Sequence, residues 1–435
     1  MSQSQMFRSL EHRNARLFFL GLSISNVGTW IQMTAVSLLV YQRTGKATDV
    51  GISLFCQFLP MLALGVWAGA VSDRVDKRRM TFVTQTGQAI LAILLGVLAL
   101  AGWATLPVIY AVSFANGVVG AVDNPARRGF VIELVEPRHI SNVIALNTAV
   151  MTGSRIFGPA LAALLVRWIE PGWLFILNGA SFAAILWPIW FTDTSKLYPS
   201  PQAAAGGRPV REALSFVRRN RRLLVVFLVF TVVGTFAFNY NVSLLKLADR
   251  RFDDRALFGW LLAVTSVGSL AGSLLTAARD RVGSVWFFGA AIVLGLGGLG
   301  VAWAPSIWIA YLMSIPLGAG GAAFIAALNA ISQVESPPNM RGRLLALGAV
   351  AFLGTTPIGA PITGWVADHV SAEWSLGYGS VVTLICVAAG VAARRRSISA
   401  QVPTGDHVPA PLVLDDPYGS GVVLQDGSSF GSQSD

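Results

Sequence analysis

Residues 69–79 read Gly69-Ala-Val-Ser-Asp73-Arg74-Val-Asp76-Lys77-Arg78-Arg79. Two acids and four bases fall within the seven residues Asp73–Arg79, and neither 50–71 nor 80–122 contains a single Asp, Glu, Lys or Arg. Hydrocarbon does not tolerate such a cluster, so the stretch is a short loop at a membrane face between two spanning helices. Gly69 lets a neighbouring helix come close. Asp73 and Arg74 stand near a helix end, where fixed charges meet helix dipoles. On charge alone, a plain positive-inside stop signal accounts for the stretch equally well.

Composition points the same way. The 435 residues are 54% hydrophobic and 12% charged, against about 25% charged for soluble domains. A span needs ~20 apolar residues, so the chain holds about a dozen. Apolar segments fall near 17–41, 48–71, 80–102, 105–124, 142–166 and 173–191, then near 222–246, 256–278, 284–303, 307–331, 344–367 and 374–393. Residues 282–334 carry no charge over 53 positions. As one helix they would reach about 80 Å, far beyond a ~30 Å core, so they fold back at Ala304-Pro305-Ser306. The run 80–122 folds back in the same way near Gly102–Pro107. Bases at Arg8, Arg13 and Arg16 before an apolar run mimic a signal peptide, but the run continues to about Tyr41 and reads as the first membrane helix.

The two uncharged hairpins suggest a duplication. An offset of 201 carries Gly117 to Gly318, Gly120 to Gly321, Pro137 to Pro338 and Gly158 to Gly359, and an offset of 203 carries Gly65 and Gly69 to Gly268 and Gly272. With the N-terminus inside, the inner segments carry 24 Lys and Arg, the outer loops 7, including 4 in 246–255, and Arg155 lies within a span. The positive-inside rule then puts both termini in the cytoplasm. The net charge of +10 is therefore spread along membrane loops rather than gathered as a nucleic-acid footprint. Cys56 and Cys386 sit in separate apolar runs and form no disulfide or metal pattern. No phosphate-binding loop is present, and no His/Asp/Ser constellation argues for an enzyme.

The spacing Gly69-x-x-x-Asp73-Arg74-x-x-Lys77-Arg78 resembles the loop between helices 2 and 3 of the major facilitator superfamily. Asp76 stands where that family usually has Gly, and Lys77 where it often has Arg. The resemblance covers about residues 10–396 and is strongest to the drug:proton antiporter subgroup that includes the enterobactin (siderophore) exporters. Asp123-Asn-Pro-Ala-Arg127 and Met340-Arg-Gly-Arg-Leu344 look like two further loops of that subgroup. It implies an all-α membrane protein with the major facilitator fold, twelve transmembrane helices in two pseudo-symmetric six-helix bundles. The expected organisation is an N-terminal bundle over 1–191, a cytoplasmic linker with an amphipathic helix over 192–221, a C-terminal bundle over 222–396 and a disordered cytoplasmic tail over 397–435. In the linker, Val210, Leu214 and Val217 share a helical face expected to lie on the inner leaflet.

Arg155, in the middle of the fifth segment, is the most informative single residue, because a charge there is costly and seldom faces lipid. It either makes a structural ion pair or faces a cavity, where it binds an anionic substrate group or serves coupling. The stretch Arg155-Ile-Phe-Gly158-Pro159 resembles the helix-5 motif of proton-antiporting drug exporters; Pro159 permits a bend and Gly158 close packing. Asp123 reads either as the i,i+4 partner of Arg127 or, by resemblance, as part of a lock with Asp73 and Lys77 that holds the outward-open form. The assigned gating residues are Asp73, Arg74, Lys77 and Asp123. Asn26, Gln57, Asn116 and Asn239 are cavity candidates or interhelical glue, and Trp30 is a stacking wall or plain packing. The expected protein is an inner-membrane, monomeric transporter without cofactor or metal, exporting drugs or small amphiphiles by alternating access, coupled to protons. The alternatives are an uptake permease or facilitator for a small metabolite and a non-transporting membrane receptor.

Overall fold

The computed structural model describes residues 8–72, 74–198, 209–279 and 281–399, and among these there are helices and turns but no strand. The membrane helices are α1 (Arg13–Thr44), α2 (Ala47–Ser72), α3 (Lys77–Leu100), α4 (Leu106–Glu133), α5 (Ile140–Leu165), α6 (Pro171–Ser181 and Ala183–Trp190), α7 (Arg221–Ala237 and Tyr240–Phe252), α8 (Leu257–Ala277), α9 (Ser284–Ala302), α10 (Ile307–Val334), α11 (Pro338–Leu353 and Thr356–His369) and α12 (Ala372–Ser399). Eleven segments of the described residues are long and apolar enough to cross a bilayer. The twelfth, α1, has the length at 32 residues but falls short in apolarity because one of its faces carries Asn26, Thr29, Trp30 and Gln32. By contact the chain divides into Met1–Arg394 and Arg395–Asp435. The tail expectation falls mainly on 400–435, outside the described residues.

Alternate connections gather on two faces. One, here the basic face, joins His12 to His139, Asn14 to Asp193, and Arg78 to the last carbonyls of α6 at Ile189 (2.8 Å) and Trp190 (2.5 Å). Arg78 thereby supplies both hydrogen bonds and positive charge at a helix C-terminus. Asp76 caps α3 by accepting from the Arg79 amide at 3.0 Å, which explains an acid where the related loops carry Gly. On the opposite face Trp103, Trp168, Trp308 and Trp374 are exposed, as expected of an interfacial aromatic belt.

The duplication is visible in the packing. A Cβ on Gly117 would strike the Gln57 carbonyl of α2, and one on the equivalent Gly318 would strike the Thr265 carbonyl of α8. Gly158 of α5 lies against Trp30 of α1, and Gly359 of α11 against the Thr235 carbonyl of α7. The four small residues thus hold the same helix pairs in close approach in both halves. The second half is further filled by stacked rings, Phe324 lying 5.3 Å from Phe230 and 4.4 Å from Phe287 between centroids.

Two expectations are corrected here. Lys246, Arg250 and Arg251, read as loop charges, belong to the second part of α7, which runs through Phe252, because a break at Phe238–Asn239 restarts the helix. The helix between α6 and α7 covers Pro209–Arg219, but its inward residues are Ala213 and Val217, while Leu214 is exposed. It packs on α7 and α11, and Glu212 pairs with Arg343.

Candidate functional site

A central cavity of about 550 Å³ runs from mid-span toward the basic face. Every described residue assigned to substrate or coupling borders it: Asn26, Trp30, Gln57, Asn116, Arg155 and Asn239. Arg155 is surrounded by protein yet exposed to water, because it borders this open volume rather than packed side chains. Its guanidinium lies 5.4 Å from the Trp30 ring centroid, a cation–π contact. No carboxylate pairs with it among the described residues. α5 runs unbroken through Pro159, whose carbonyl packs beside Gly259 of α8.

The remaining candidates divide by partner. Asn26 directs its amide at the Met151 sulfur, 3.0 Å away. Gln57 and Asn116 have no side-chain hydrogen bond among the described residues, so their amides are free for a ligand. Asn239 is buried and donates to the Thr235 carbonyl at 2.8 Å; it repairs the break in α7, where a carbonyl would otherwise lack a partner. Gln32 accepts from Asn178 of α6 at 2.6 Å and so glues α1 to α6.

Asp123 is buried and fully engaged. It accepts from Thr84 (2.8 Å) and Gln85 (2.9 Å) of α3 and from Arg127 at 3.1 Å, so the i,i+4 reading is the one seen. Lys77 instead pairs with Glu133 at 2.7 Å, its stem crossing Gly129, where a side chain would block it. Arg74 is exposed, and Asp73 lies outside the described residues. The conformation therefore does not join Lys77 to Asp123. Nor does a helix approach Gly69: a Cβ there would meet nothing within 4 Å, because the halves stand apart on this face.

The opposite face is closed, and sequence reading missed what closes it. Asp368 of α11 accepts from the α2 amides of Ala47 (2.9 Å) and Thr48 (2.8 Å), the Thr48 hydroxyl (2.8 Å) and Lys246 of α7 (2.6 Å). The Lys246 and Asp368 side chains are 7% and 11% exposed. A carboxylate at a helix N-terminus meets free amides and the positive dipole end. Tyr41 of α1 donates to Asp249 of α7 at 2.7 Å, and Arg167 reaches Asp254 at 3.2 Å. These contacts tie the halves together at one end only. The signal available in the sequence was an acid and a base at the same end of paired segments.

A family model described as "Transmembrane secretion effector" matches residues 4–424. Among curated proteins, the chain is 25% identical over 380 residues to the uncharacterized MFS-type transporter YfiS of Bacillus subtilis strain 168, covering 84% of this chain and 87% of the relative. It is 23% identical over 294 residues to the staphyloferrin A transporter of Staphylococcus aureus (66% and 73%), and 26% identical over 379 residues to the multidrug efflux pump Tap of Mycolicibacterium fortuitum (79% and 87%). Solved structures of similar shape include the nucleoside transporter NupG, at TM-score 0.70 and 13% identity over 89% of this chain and 99% of that one. Another is an inward-facing bacterial homologue of the lysosomal transporter Spinster, at 0.67 and 15% over 89% and 98%. A water-accessible cavity held between two alike helix bundles and closed at one end is the architecture of a carrier rather than of an enzyme, and the chain belongs to the transmembrane secretion effector family of major facilitator transporters.

Proposed function

We propose that this carrier exports drugs or small amphiphilic molecules, siderophores among them, across the inner membrane by alternating access coupled to proton influx. The observation that carries the reading is the asymmetry of the cavity, open toward the basic face and sealed opposite. With the basic face in the cytoplasm, as the Lys and Arg distribution favours, this is the loading state of an exporter. The bundles 1–191 and 222–396 rock about the cavity, the 192–221 linker and both termini stay cytoplasmic, and the protein works as a monomer. The multidrug pump and the siderophore transporter among its relatives support the substrate range. Asp73, Arg74, Lys77 and Asp123 serve the inner gate, and Arg155 with the cavity amides serves binding.

One observation favours a facilitator instead: Asp123 is the only acid bordering the cavity among the described residues, and it is already bonded. Inverted vesicles separate the two. A drug and siderophore panel should accumulate inside them only under an imposed pH gradient, and Asp123→Asn should weaken that dependence. Flux indifferent to the gradient leaves the facilitator, and flux in the uptake direction alone overturns export. Single cysteines at 211–219 should label only from the cytoplasmic side and those at 250–255 only from outside.

A further inference from the structure

We infer that the carried molecule is an anionic amphiphile whose carboxylate is held between Arg155 of α5 and Tyr240 of α7 while its apolar body rests on the rings of the second half. The inference rests on the transport reading above and adds the charge class of the substrate.

Among the described residues, four ionised groups border the cavity: Arg127, Arg128, Arg155 and Asp123. Asp123 and Arg127 neutralise each other at 3.1 Å. Arg128 and Arg155 are both exposed and have no carboxylate partner among the described residues. The site therefore carries about two uncompensated positive charges, and a water-filled cleft with low-dielectric walls focuses such a field onto an entering ion. A cation meets repulsion and no free carboxylate. An anion meets a guanidinium fork made for carboxylate geometry, held by its contact with Trp30.

The second half supplies a complement. The Tyr240 hydroxyl is buried and has no hydrogen-bond partner, a costly state for a donor, and Tyr240 borders the same cavity. A carboxylate accepting from both residues would bridge the two halves. Phe238 packs against Phe352 at 5.1 Å between centroids, and both border the cavity, which gives an apolar body an aromatic surface. Arg128, nearer the basic face, draws the anion in.

The test uses the full chain in neutral phosphatidylcholine nanodiscs, with two fluorescent probes of one skeleton, pyrenebutyrate and pyrenebutyl-trimethylammonium; empty nanodiscs correct for partitioning. Pyrenebutyrate should bind at least about tenfold more tightly than the ammonium probe, and Arg155→Gln should weaken it about tenfold or more, the scale of a charged hydrogen bond. Tyr240→Phe should weaken it a few-fold. Arg128→Gln should reduce its salt dependence, and Arg155→Lys should restore part of the affinity. Equal or tighter binding of the ammonium probe, no binding of either, or carboxylate affinity unmoved in Arg155→Gln overturns the inference. Should Arg155→Gln fail to fold, as judged by its thermal unfolding, Tyr240→Phe and Arg155→Lys decide it. Wild-type vesicles that bind pyrenebutyrate without moving it overturn the transport reading and leave the anion site standing.

Discussion

The two halves of the molecule share one plan and differ in what they do with it. Gly117 and Gly158 press α4 on α2 and α5 on α1, and Gly318 and Gly359 repeat both contacts in the second half. The correspondence stops at the next pair. Gly268 and Gly272 of α8 lie hard against the Ile315 and Ala319 carbonyls of α10, whereas Gly65 and Gly69 of α2 face open space. Among the described residues, every ionised side chain bordering the cavity comes from the first half, and Phe238, Tyr240 and Phe352 come from the second. The first half brings charge to the cavity and leaves α2 open at its basic-face end; the second brings rings to the cavity and presses α8 on α10. A duplicated scaffold thus lines its cavity with charge from one half and with rings from the other.

The contrast in packing can be broken most directly at the glycines. Overfilling a packed site costs ~1–3 kcal/mol or more, and the Ala319 backbone beside Gly272 cannot give way. Gly272→Leu should yield little folded protein by size-exclusion of a fluorescent fusion, whereas Gly69→Leu should fold and melt like the wild type but carry substrate slowly, since its space is needed when the basic face closes. Equal recovery and melting of the two variants would erase the distinction. The division of chemistry is sharpened at Arg155. Arg155→Ala should abolish vesicle transport while the protein still reaches the membrane, Arg155→Lys should restore part, and Tyr240→Phe should lose only a few-fold; the ranking fails if Tyr240→Phe is the more damaging.

Next come the closed and open faces. Asp368→Asn leaves Lys246 buried without its counter-charge, and breaking one side of a buried pair costs ~3–5 kcal/mol. The closed face should then open more often, so a cysteine at Ser269 in the cavity should label faster with an impermeant maleimide from outside. Unchanged labelling would remove Asp368 from the seal. Asp123→Asn keeps partners in Thr84 and Gln85 but also leaves the buried Arg127 without its counter-charge; it should slow turnover several-fold and lower the melting temperature, though less than Asp368→Asn, because Arg127 borders the open cavity. The smallest effect belongs to Asp76→Ala, which removes the α3 cap and should cost ~1 kcal/mol, read as a melting shift of a few degrees without change in transport.

Much of this was legible in the sequence, for definite reasons. A charge inside an apolar segment has few tolerable surroundings, so Arg155 pointed to either an ion pair or a cavity before any helix was placed, and glycines at a constant offset reported the shared helix contacts. Asp368 and Lys246 escaped notice because they stand at segment ends, where charges are ordinary; only the fold brings them to one another and to the start of α2. The bond between Gln32 and Asn178 was not legible either, since an amide within an apolar segment gives no hint of what it meets. The linker helix shows an apolar stripe in the sequence, but not that protein covers part of it: Ala213 and Val217 are buried where it packs on α7 and α11. The break at Phe238–Asn239 has no glycine or proline to announce it, so α7 was read as ending too early.

On the closed face, α2 and α11 meet almost backbone to backbone. A Cβ on Gly51 would strike the Ala360 carbonyl, and one on Gly364 would lie 2.5 Å from the Ala47 carbonyl, one turn from the bonds that Asp368 makes. At these two contacts backbone meets backbone, with no side chain to stretch or to give way in stages. Separation of these helices must break the Asp368 bonds and lose the interlocking contacts together. Such an interface has two states and a steep barrier rather than a soft spring. Its opening should therefore have a large activation enthalpy, and the turnover rate should rise steeply on warming if this step limits the cycle.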